Sequence, residues 1–420
     1  MRRYAPLLGL SLLVGCPPPA AAPARVEHGP VIPGSALSYL RRSLVPYPAA
    51  GAHGRLALTD PITRRVATYD SALVVLVLIR SGARAEAAAV LEGLLALQRP
   101  DGSLPFSFEL PRPSEGIPYV RSGAVAWTGY AATEYLDADR AGPSRTEALA
   151  LARGAARYLI GRQISTPGDP RDGFVRGGAG AYRYELDGSG VVKERLEPAD
   201  ITWASVEHNI DAFFFLRALA RVTGEATYAE AAARIASGLA RAWSAAHGQL
   251  ARGVAAEGPD DVLALDCASW GSLLLGASGD RDRAETAASV ADAGYGARDP
   301  KSGVRGHRMQ RRGPVMEAPV LMRALGAKLP ARDWAQLEAV WPEGSAGVAL
   351  AALRVGRVDR ARAILDALEP LRGADGSLPT STLDIPFLFD TRPSVAATAW
   401  SELVRFELRR GPNKPSFWVP

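Results

Sequence analysis

Two carboxylates and an indole recur at helical spacing between residues 203 and 213. Trp203, Glu207 and Asp211 are four residues apart, so on one helix they would form a single stripe. Apolar residues such as Phe213 fall mostly on the other side, where they can pack. A helix with these two faces can present its acids and its aromatic ring to a ligand. The structural alternative is that arginines satisfy both acids in an ion-pair network.

The same stretch also carries His208 and Asn209, and other apolar helical stretches carry polar or aromatic residues near their starts. The residues on the other stretches are Asp70, Trp127, Asp266, Trp270 and Glu343. Acids combined with aromatic rings are typical of sugar sites, because a ring covers the apolar face of a pyranose while carboxylates bind hydroxyls or exchange protons. Each residue also has a structural interpretation, since an acid at a helix start favours the helix dipole and a buried tryptophan fills a core.

Helical periodicity covers nearly the whole chain, and glycine and proline interrupt it. Stretches that are apolar on all sides alternate with amphipathic ones, which predicts six buried and six outer helices. The buried stretches are 69–80, 122–136, 204–222, 262–275, 344–353 and 394–408. The amphipathic stretches are 84–97, 145–160, 227–243, 281–291, 359–371 and 35–44. The last buried stretch has no successor, so we expect it to pair with 35–44 and close a ring.

A short turn sequence recurs along the chain. Asp-Gly-Ser-Leu-Pro occupies 101–105 and again 375–379, each time after an amphipathic stretch. Asp-Gly favours a tight turn, and self-similarity at matching points indicates a repeat architecture. Residues 313–341 do not fit the helix pairs and are predicted to be a helical insertion. The glycine-rich stretch 162–201 is predicted to be a long loop that covers a cleft.

The alternating helices, the repeated turns, the helix start at 341–344 and the segment 393–400 resemble the six-hairpin glycosidases. The resemblance covers about residues 33–420 and implies an all-α fold, a single (α/α)6 toroid of inner and outer helix hairpins. It also implies a carbohydrate-active protein, in the first place a glycoside hydrolase that acts on a poly- or oligosaccharide. Characterised toroid glycosidases are mostly inverting, which implies a wide separation of the two catalytic carboxyl groups.

Glycoside hydrolysis uses two carboxyl groups that flank one bond, an acid with a raised pKa and a base or nucleophile. We predict that Glu207 is the acid, because its apolar neighbours would raise its pKa. We predict that Asp70 or Asp266 is its partner, because the second group must reach across the cleft from another helix. The residues predicted to bind substrate are Trp127, Trp203, His208, Asn209, Asp211, Trp270 and Glu343.

Two other functions remain open on the same scaffold. A polysaccharide lyase would use a neutral His, Tyr or Asn to remove the proton next to a uronate carboxylate, with cations that neutralise the carboxylate. A non-catalytic lipoprotein would bind glycan or support envelope assembly, since fold does not fix function. Opposed acids across a cleft favour the hydrolase, a neutral His–Tyr–Arg cluster favours the lyase, and acids buried in arginine pairs favour the third function.

The first residues predict export and a lipid anchor. A basic start precedes an apolar segment that is too short to span a bilayer. Residues 13–16 (Leu-Val-Gly-Cys) then resemble the lipobox of bacterial lipoprotein signal peptides. This resemblance implies a signal peptide at 1–15, a lipid on Cys16 that holds the protein in the membrane, and a place in the cell envelope facing periplasm or exterior. Residues 16–32 are rich in proline and alanine, as in an extended tether.

Composition argues against several other classes of protein. The 420 residues carry a formal net charge of only +5 without a basic block, so a nucleic-acid partner is not expected. The two cysteines, Cys16 and Cys267, predict no disulfide within the exported domain. Five scattered histidines without HExxH or CxxC spacing predict neither a metal site nor a cofactor. The oligomeric state is not indicated by any pattern.

Overall fold

The structure is a computed structural model that describes residues 34–111, 117–139, 142, 144–411 and 414–418. The predicted signal peptide, tether and lipidated Cys16 therefore lie outside the described residues. Within those described ranges, no helix is long and apolar enough to cross a membrane.

The described part of the chain is mostly helical. Its α-helices are α1 (Ala36–Ser43), α2 (Thr68–Arg80), α3 (Arg84–Leu97), α4 (Ser122–Ala138), α5 (Arg145–Gly161), α6 (Val206–Thr223), α7 (Ala226–Arg241), α8 (Leu265–Ala277), α9 (Arg281–Gly294), α10 (Pro319–Leu325), α11 (Pro342–Arg354), α12 (Val358–Leu368) and α13 (Val395–Arg410). Twelve of the thirteen agree with the predicted helices to within a few residues at each end. The insertion prediction is confirmed in part, because 313–341 contains only the short α10 and one turn of 3₁₀-helix.

All the strand pairs in the described ranges are antiparallel, and the strands are short except in one long hairpin over residues 178–201. They are β1 (Leu44–Pro46), β2 (Arg55–Asp60), β3 (Arg65–Ala67), β4 (Ser107–Glu109), β5 (Val120–Arg121), β6 (Gly178–Leu186), β7 (Val192–Ile201), β8 (Ala204–Ser205), β9 (Trp243–Ser244), β10 (Gln249–Leu250), β11 (Gly253–Ala255), β12 (Gly258–Pro259), β13 (Gly296–Arg298), β14 (Arg305–His307), β15 (Leu378–Pro379) and β16 (Pro393–Ser394). The larger sheets have the orders β1-β2-β3-β4, β5-β6-β7 and β12-β11-β8. Since β3, β5, β8 and β16 each run directly into a buried helix, these strands lie at the helix starts.

The six buried helices contact one another in a closed circuit. Along this circuit α2 contacts α4, α4 contacts α6, α6 contacts α8, α8 contacts α11, α11 contacts α13, and α13 contacts α2 again. Each of the first five buried helices also contacts the amphipathic helix that follows it in the chain, and α13 contacts α1 as the sequence predicts. Helices that are apolar on all sides need neighbours all round, and this arrangement supplies them.

The two repeated turns have the same internal bonds. The Asp101 carboxylate accepts hydrogen bonds from the backbone N–H and the hydroxyl of Ser103, at 2.9 and 2.7 Å. Asp375 accepts the same two bonds from Ser377, at 3.0 and 2.7 Å. Both central glycines have a φ near +90°, where a side chain would be strained. The turns are therefore structurally equivalent, as their sequence similarity predicts.

Two predictions about the middle of the chain need correction. The predicted loop over 162–201 holds only for residues 162–177, because β6 and β7 pair from Gly178 onwards as an antiparallel hairpin. Trp203 does not share a helix with Glu207, because Ser205 caps α6 by accepting the backbone N–H of His208 and the helix begins only at Val206. The polar stripe on α6 therefore consists of Glu207 and Asp211.

The end of the described chain fills the centre of the helical circuit. Trp418 is 3 % exposed and stacks on Phe214, with ring centroids 4.7 Å apart and planes 5° apart. Arg80 and Arg354, the last residues of α2 and α11, donate hydrogen bonds to the carbonyls of Ser416 and Phe417 at 2.7 Å. The C-terminal plug, residues 416–418, thus closes the end of the circuit where the buried helices finish.

The plug extends a cluster of aromatic side chains on the axis of the circuit. This central aromatic cluster comprises Trp127, Phe214, Trp270, Trp400, Phe417 and Trp418. Trp270 and Trp400 stack at 5.2 Å, and Trp418 lies edge-on to Trp270 at 5.3 Å. Large apolar rings occupy the space that six helices cannot fill with their own backbones.

We expect Trp418→Ala to lower the free energy of unfolding by about 3–5 kcal/mol, because a large buried ring is lost and a cavity remains. Chemical denaturation of both proteins measures the difference. Ile62→Ala is the matched control: Ile62 is 64 % exposed, and its removal should change stability by less than about 0.5 kcal/mol. Equal stability of Trp418→Ala and the unsubstituted protein would contradict the role of the plug.

Candidate functional site

Four buried helices carry a partly exposed polar residue at the same place, the second residue of the helix. These residues are Tyr69 on α2, Glu207 on α6, Asp266 on α8 and Glu343 on α11. The residues on either side are buried, except His208, which follows Glu207. Because the helices start at the same end of the circuit, these side chains face a common space. We call the space bounded by them the recess.

Glu207 and Asp266 are in direct hydrogen-bond contact. Burial raises the pKa of Glu207 well above its usual value, and the nearby charges of Asp266 and Asp211 raise it further. Burial also raises the pKa of Asp266, but hydrogen bonds from the Cys267 backbone N–H (2.7 Å) and from Glu207 oppose this effect. The proton of the pair therefore stays on Glu207, which donates it towards the Asp266 carboxylate.

Glu343 is held by a chain of two hydrogen bonds that runs from Trp400 through Tyr69. The Tyr69 hydroxyl donates to Glu343 Oε1 at 2.6 Å, and Trp400 Nε1 donates to the Tyr69 oxygen at 2.6 Å. Burial raises the pKa of Glu343 to about 8, and the hydrogen bond from Tyr69 acts against this rise. Since Trp400 belongs to the central aromatic cluster, Glu343 is positioned by the packed core beneath it.

Asp211 lies one helical turn below Glu207 and is 3 % exposed. Burial and the charge of Asp266 raise its pKa well above the usual value, while a hydrogen bond from Trp127 lowers it. Gly123 on α4 makes room for this arrangement, because a Cβ at that position would clash with the His208 ring and touch Asp211 Oδ2 at 3.0 Å. A third acid therefore supports the protonation of Glu207 from below.

His208 and Trp203 stand beside the acids with unused polar atoms. Burial, together with the positive charge of Arg121, lowers the pKa of His208 to about 3, so its imidazole is neutral. Neither His208 Nδ1 nor Trp203 Nε1 has a partner among the described residues. Trp203 is partly exposed, and the Arg252 guanidinium lies 5.8 Å from its ring centre. Both side chains can offer polar atoms and ring surface to a bound molecule.

The structure places four of the predicted site residues away from the recess. Asn209 is fully buried and its amide bonds the backbone of Val175 and Ser205, so it supports the fold and is not free to bind substrate. Trp127 and Trp270 are 2 % and 3 % exposed within the central aromatic cluster, so neither offers a free face to a sugar.

Asp70, the fourth of these residues, is buried and accepts a hydrogen bond from Thr59 at 2.6 Å. Its pKa is raised to about 6 by burial.

The predicted site residues that the structure does bring together are Glu207, Asp211, Asp266 and Glu343, with Trp203 and His208 at their side. Sequence reasoning missed Tyr69, the hydrogen-bond partner of Glu343, and chose its neighbour Asp70. Alignment of the helix starts would have found it, because Tyr69 occupies the same second position as the three acids. Trp341, partly exposed just before α11, was also missed.

In the described ranges, no group of three or more His, Cys, Asp or Glu side chains has the arrangement of a metal site. The acids of the recess are partnered by one another, by Tyr69, by Trp127 and by the Cys267 backbone N–H, whereas Asp211 Oδ1 has no partner among the described residues. The chemistry that this arrangement offers is proton transfer between carboxyl groups and a bound molecule.

No protein-family model matches the chain, and no curated protein is similar to it in sequence. Several solved structures are similar in fold. A wild-type glycosidase is 14 % identical, with a TM-score of 0.57 over 92 % of this chain and 96 % of that chain. A D-mannose isomerase is 10 % identical (TM-score 0.57; 89 % and 95 % covered), and an α-mannanase of glycoside hydrolase family 76 from Bacteroides thetaiotaomicron is 11 % identical (0.52; 90 % and 93 %). These likenesses show a glycosidase-like helical fold.

We expect Glu343→Gln to be more stable than the unsubstituted protein at pH 9 by more than about 1 kcal/mol, since one pKa unit corresponds to about 1.4 kcal/mol. The folded protein holds the Glu343 proton up to about pH 8, whereas the unfolded chain releases it near 4.5. Stability contributed by this proton is therefore present below about pH 4.5 and is lost as the pH rises through 8. Glutamine keeps the acceptor for Tyr69 and carries no charge.

Urea unfolding at pH 5, 7 and 9 measures this difference, which should shrink towards pH 5. Glu257→Gln is the control, because Glu257 is exposed and its replacement should give parallel curves at all three pH values. A Glu343→Gln protein that is no more stable than the unsubstituted protein at pH 9 would show that Glu343 is not held in an environment that favours its neutral form.

Proposed function

We propose that the protein is a glycoside hydrolase whose active site is the recess at the starts of the buried helices. The observation that carries this proposal is the pair Glu207 and Glu343. They project into one recess from α6 and α11, which are separated in the circuit by α8, and their environments differ. Glu207 is held protonated by neighbouring acids, whereas Glu343 accepts a hydrogen bond from Tyr69.

We further propose that the closed circuit of six buried helices, each with an outer partner, is an (α/α)6 toroid that forms one domain over residues 33–420. The similar folds of a glycosidase and an α-mannanase support this proposal. The mannose isomerase shows that the same fold hosts another reaction on sugars, so the activity must be argued from the recess itself.

Glu207 is the general acid in this proposal. Its protonated carboxyl donates a proton to the leaving-group oxygen as the bond from that oxygen to the anomeric carbon breaks. Asp266 accepts a hydrogen bond from the same carboxyl and orients it, and Asp211, whose own pKa is raised well above the usual value, lies one helical turn below. This cluster of acids keeps a proton on Glu207 at neutral pH, where an isolated glutamate would be ionised.

Glu343 is the partner of Glu207 rather than Asp266 or Asp70. The two carboxyl groups of a glycosidase lie about 5 to 9.5 Å apart, which excludes Asp266 because it already bonds Glu207. Asp70 is buried against Thr59. Only the ionised form of Glu343 takes a proton from the water whose oxygen bonds the anomeric carbon, and this form is the minor one at neutral pH because the pKa of Glu343 is about 8. Tyr69 holds that carboxylate in place.

The solved glycosidase of similar fold gives independent support. It is represented by variants in which two different glutamates and a tyrosine are replaced, and one of these variants holds glucose. In that chain the tyrosine precedes both glutamates. Tyr69, Glu207 and Glu343 are of the same residue types and follow one another in the same order. The unpartnered polar atoms of Trp203 and His208 are then available to sugar hydroxyls.

A lyase is the second candidate, and one observation favours it. Arg121 is 4 % exposed, has no acid within ion-pair distance in the described residues, and lies 4.6 Å from the Tyr119 ring, near the neutral His208. A neutral base beside a cation is the composition that removes a proton next to a uronate carboxylate. Arg121 nevertheless bonds three backbone carbonyls, those of Val120, Ala179 and Gly180, which places it in the scaffold.

We expect Glu207→Gln to lower the rate of glycan hydrolysis about 100-fold or more, because it removes the general acid. The assay incubates the protein with neutral and acidic polysaccharides and oligosaccharides, and reads reducing ends together with the absorbance of unsaturated uronates. Glu257→Gln, on the exposed surface, should keep full activity, and circular dichroism should show that both variants are folded.

Full activity of Glu207→Gln would overturn the assignment of the acid. Unsaturated uronates in place of simple reducing ends would establish the lyase instead. Glycan binding without any cleavage would favour the non-catalytic lipoprotein.

We also propose that the protein is exported and anchored by a lipid on Cys16, as the lipobox-like residues 13–16 indicate.

We expect the unsubstituted protein to partition into the detergent phase of a Triton X-114 extract and Cys16→Ser to stay in the aqueous phase. Cys267→Ser is the control, because Cys267 is buried in α8 and its replacement should leave the partition unchanged. Acyl chains on the Cys16→Ser protein would contradict the proposal.

A further inference from the structure

The β6–β7 hairpin has two different faces. Arg183, Lys193 and Arg195 point to solvent with side chains 70 %, 69 % and 73 % exposed. The residues between them, including Tyr182, Tyr184, Leu186, Val192, Glu194 and Leu196, are partly buried. Because side chains alternate along a strand, these residues form the other face of the hairpin. Because this second face is half-buried, the hairpin must lie over another part of the protein.

The base of the hairpin lies at the starts of α4 and α6. β5 pairs with β6 and runs directly into α4, and β7 ends just before Trp203 and the start of α6. Tyr182, near this base, lies 5.2 Å from Tyr119, which itself stands just before β5. The hairpin thus begins at the same end of the helical circuit as the recess.

The tip of the hairpin lies at the starts of α11 and α13. The Tyr184 ring lies 6.2 Å from Phe387, in the loop before α13. Tyr184 and Val192 pack against a second apolar cluster that includes Leu321 of α10, and Trp341, which directly precedes α11, packs against the same cluster. In the order of the circuit, α11 and α13 stand opposite α4 and α6. The hairpin therefore spans the mouth of the recess from one side to the other.

Glu194 marks the covered face of this span. It lies opposite Tyr184 in the hairpin register, and its Oε1 is buried without a hydrogen-bond partner among the described residues. A carboxylate oxygen left without a partner is costly unless a ligand or water satisfies it. The positive charge of Arg65, in β3 before α2, acts on Glu194, so the covered face of the hairpin carries two tyrosines and an acid beside the start of α2.

We propose that the β6–β7 hairpin is a strap across the active site that restricts the enzyme to small glycosides and to the ends of glycan chains. The proposal rests on the hydrolase function proposed above. The interior of a long chain cannot pass beneath a strap that is attached at both sides unless the strap lifts, whereas a small molecule or a chain end enters beside it. Tyr182, Tyr184 and Glu194 then contact the sugar from above.

The first test is the size of the earliest products from a hexasaccharide and from the polysaccharide that the panel identifies. We expect only mono- and disaccharides at early times. A variant in which two glycines replace residues 185–193 lacks the tip of the strap and should release a several-fold larger share of long fragments. Arg183→Gln, on the solvent face, is the control and should give the unsubstituted product pattern. Long internal fragments from the unsubstituted protein would overturn the strap and leave the hydrolase intact.

A second test does not depend on catalysis. Cysteines introduced by Tyr184→Cys and Phe387→Cys in a Cys16→Ser chain should be joined by a short flexible bis-maleimide, seen as a shift on a denaturing gel, because the two rings that they replace are in contact range. Pairing of Tyr184→Cys with Glu230→Cys, on the exposed side of α7, is the control and should give no shift. Failure of the first pair to join would overturn the strap even if no glycan in the panel is cut.

Discussion

The burial of several carboxyl groups at one end of the helical circuit is the constraint on which the site depends. Glu207, Asp211, Asp266 and Glu343 cannot all be ionised within one recess, so the protein must keep protons on some of them. Asp266 and Glu343 receive hydrogen bonds that stabilise their anions, from Cys267 and Tyr69. Glu207 receives none and stays protonated. These partners give the carboxyl groups of the recess different pKa values, with that of Glu343 at about 8.

This arrangement has a cost that the rest of the fold offsets. Acids whose neutral forms are favoured weaken the folded state as the pH rises. The central aromatic cluster lies directly beneath them and links to both sides of the recess, since Trp127 bonds Asp211 and Trp400 bonds Tyr69. The C-terminal plug completes this cluster from the other end. Packing of the core therefore fixes the positions of groups that electrostatics alone would drive apart.

The scaffold also explains how the site is enclosed. Six helix starts meet at one end, and the strands that lead into them add short sheets around the recess. The β6–β7 hairpin leaves the α4–α6 side and reaches the α11–α13 side, where it packs on the short α10 and the loop before α13. Because the hairpin and the plug lie at opposite ends of the circuit, the proposed strap and the packed core can be altered separately.

The sequence by itself determined the helices, because apolar periodicity and Asp-Gly turns are local signals. Even the pairing of 35–44 with the last buried stretch could be predicted, because that stretch has no amphipathic stretch after it. The sequence also singled out Glu207, Asp211, Asp266 and Glu343, together with Asp70, which the structure places away from the recess. Only the tertiary structure decided how these acids are partnered. Direct contact of Glu207 with Asp266, the bond from Tyr69 to Glu343, and the burial of Trp127, Trp270 and Asn209 depend on how separate helices turn about their axes and meet. Such contacts join residues more than a hundred positions apart, and no local pattern records them.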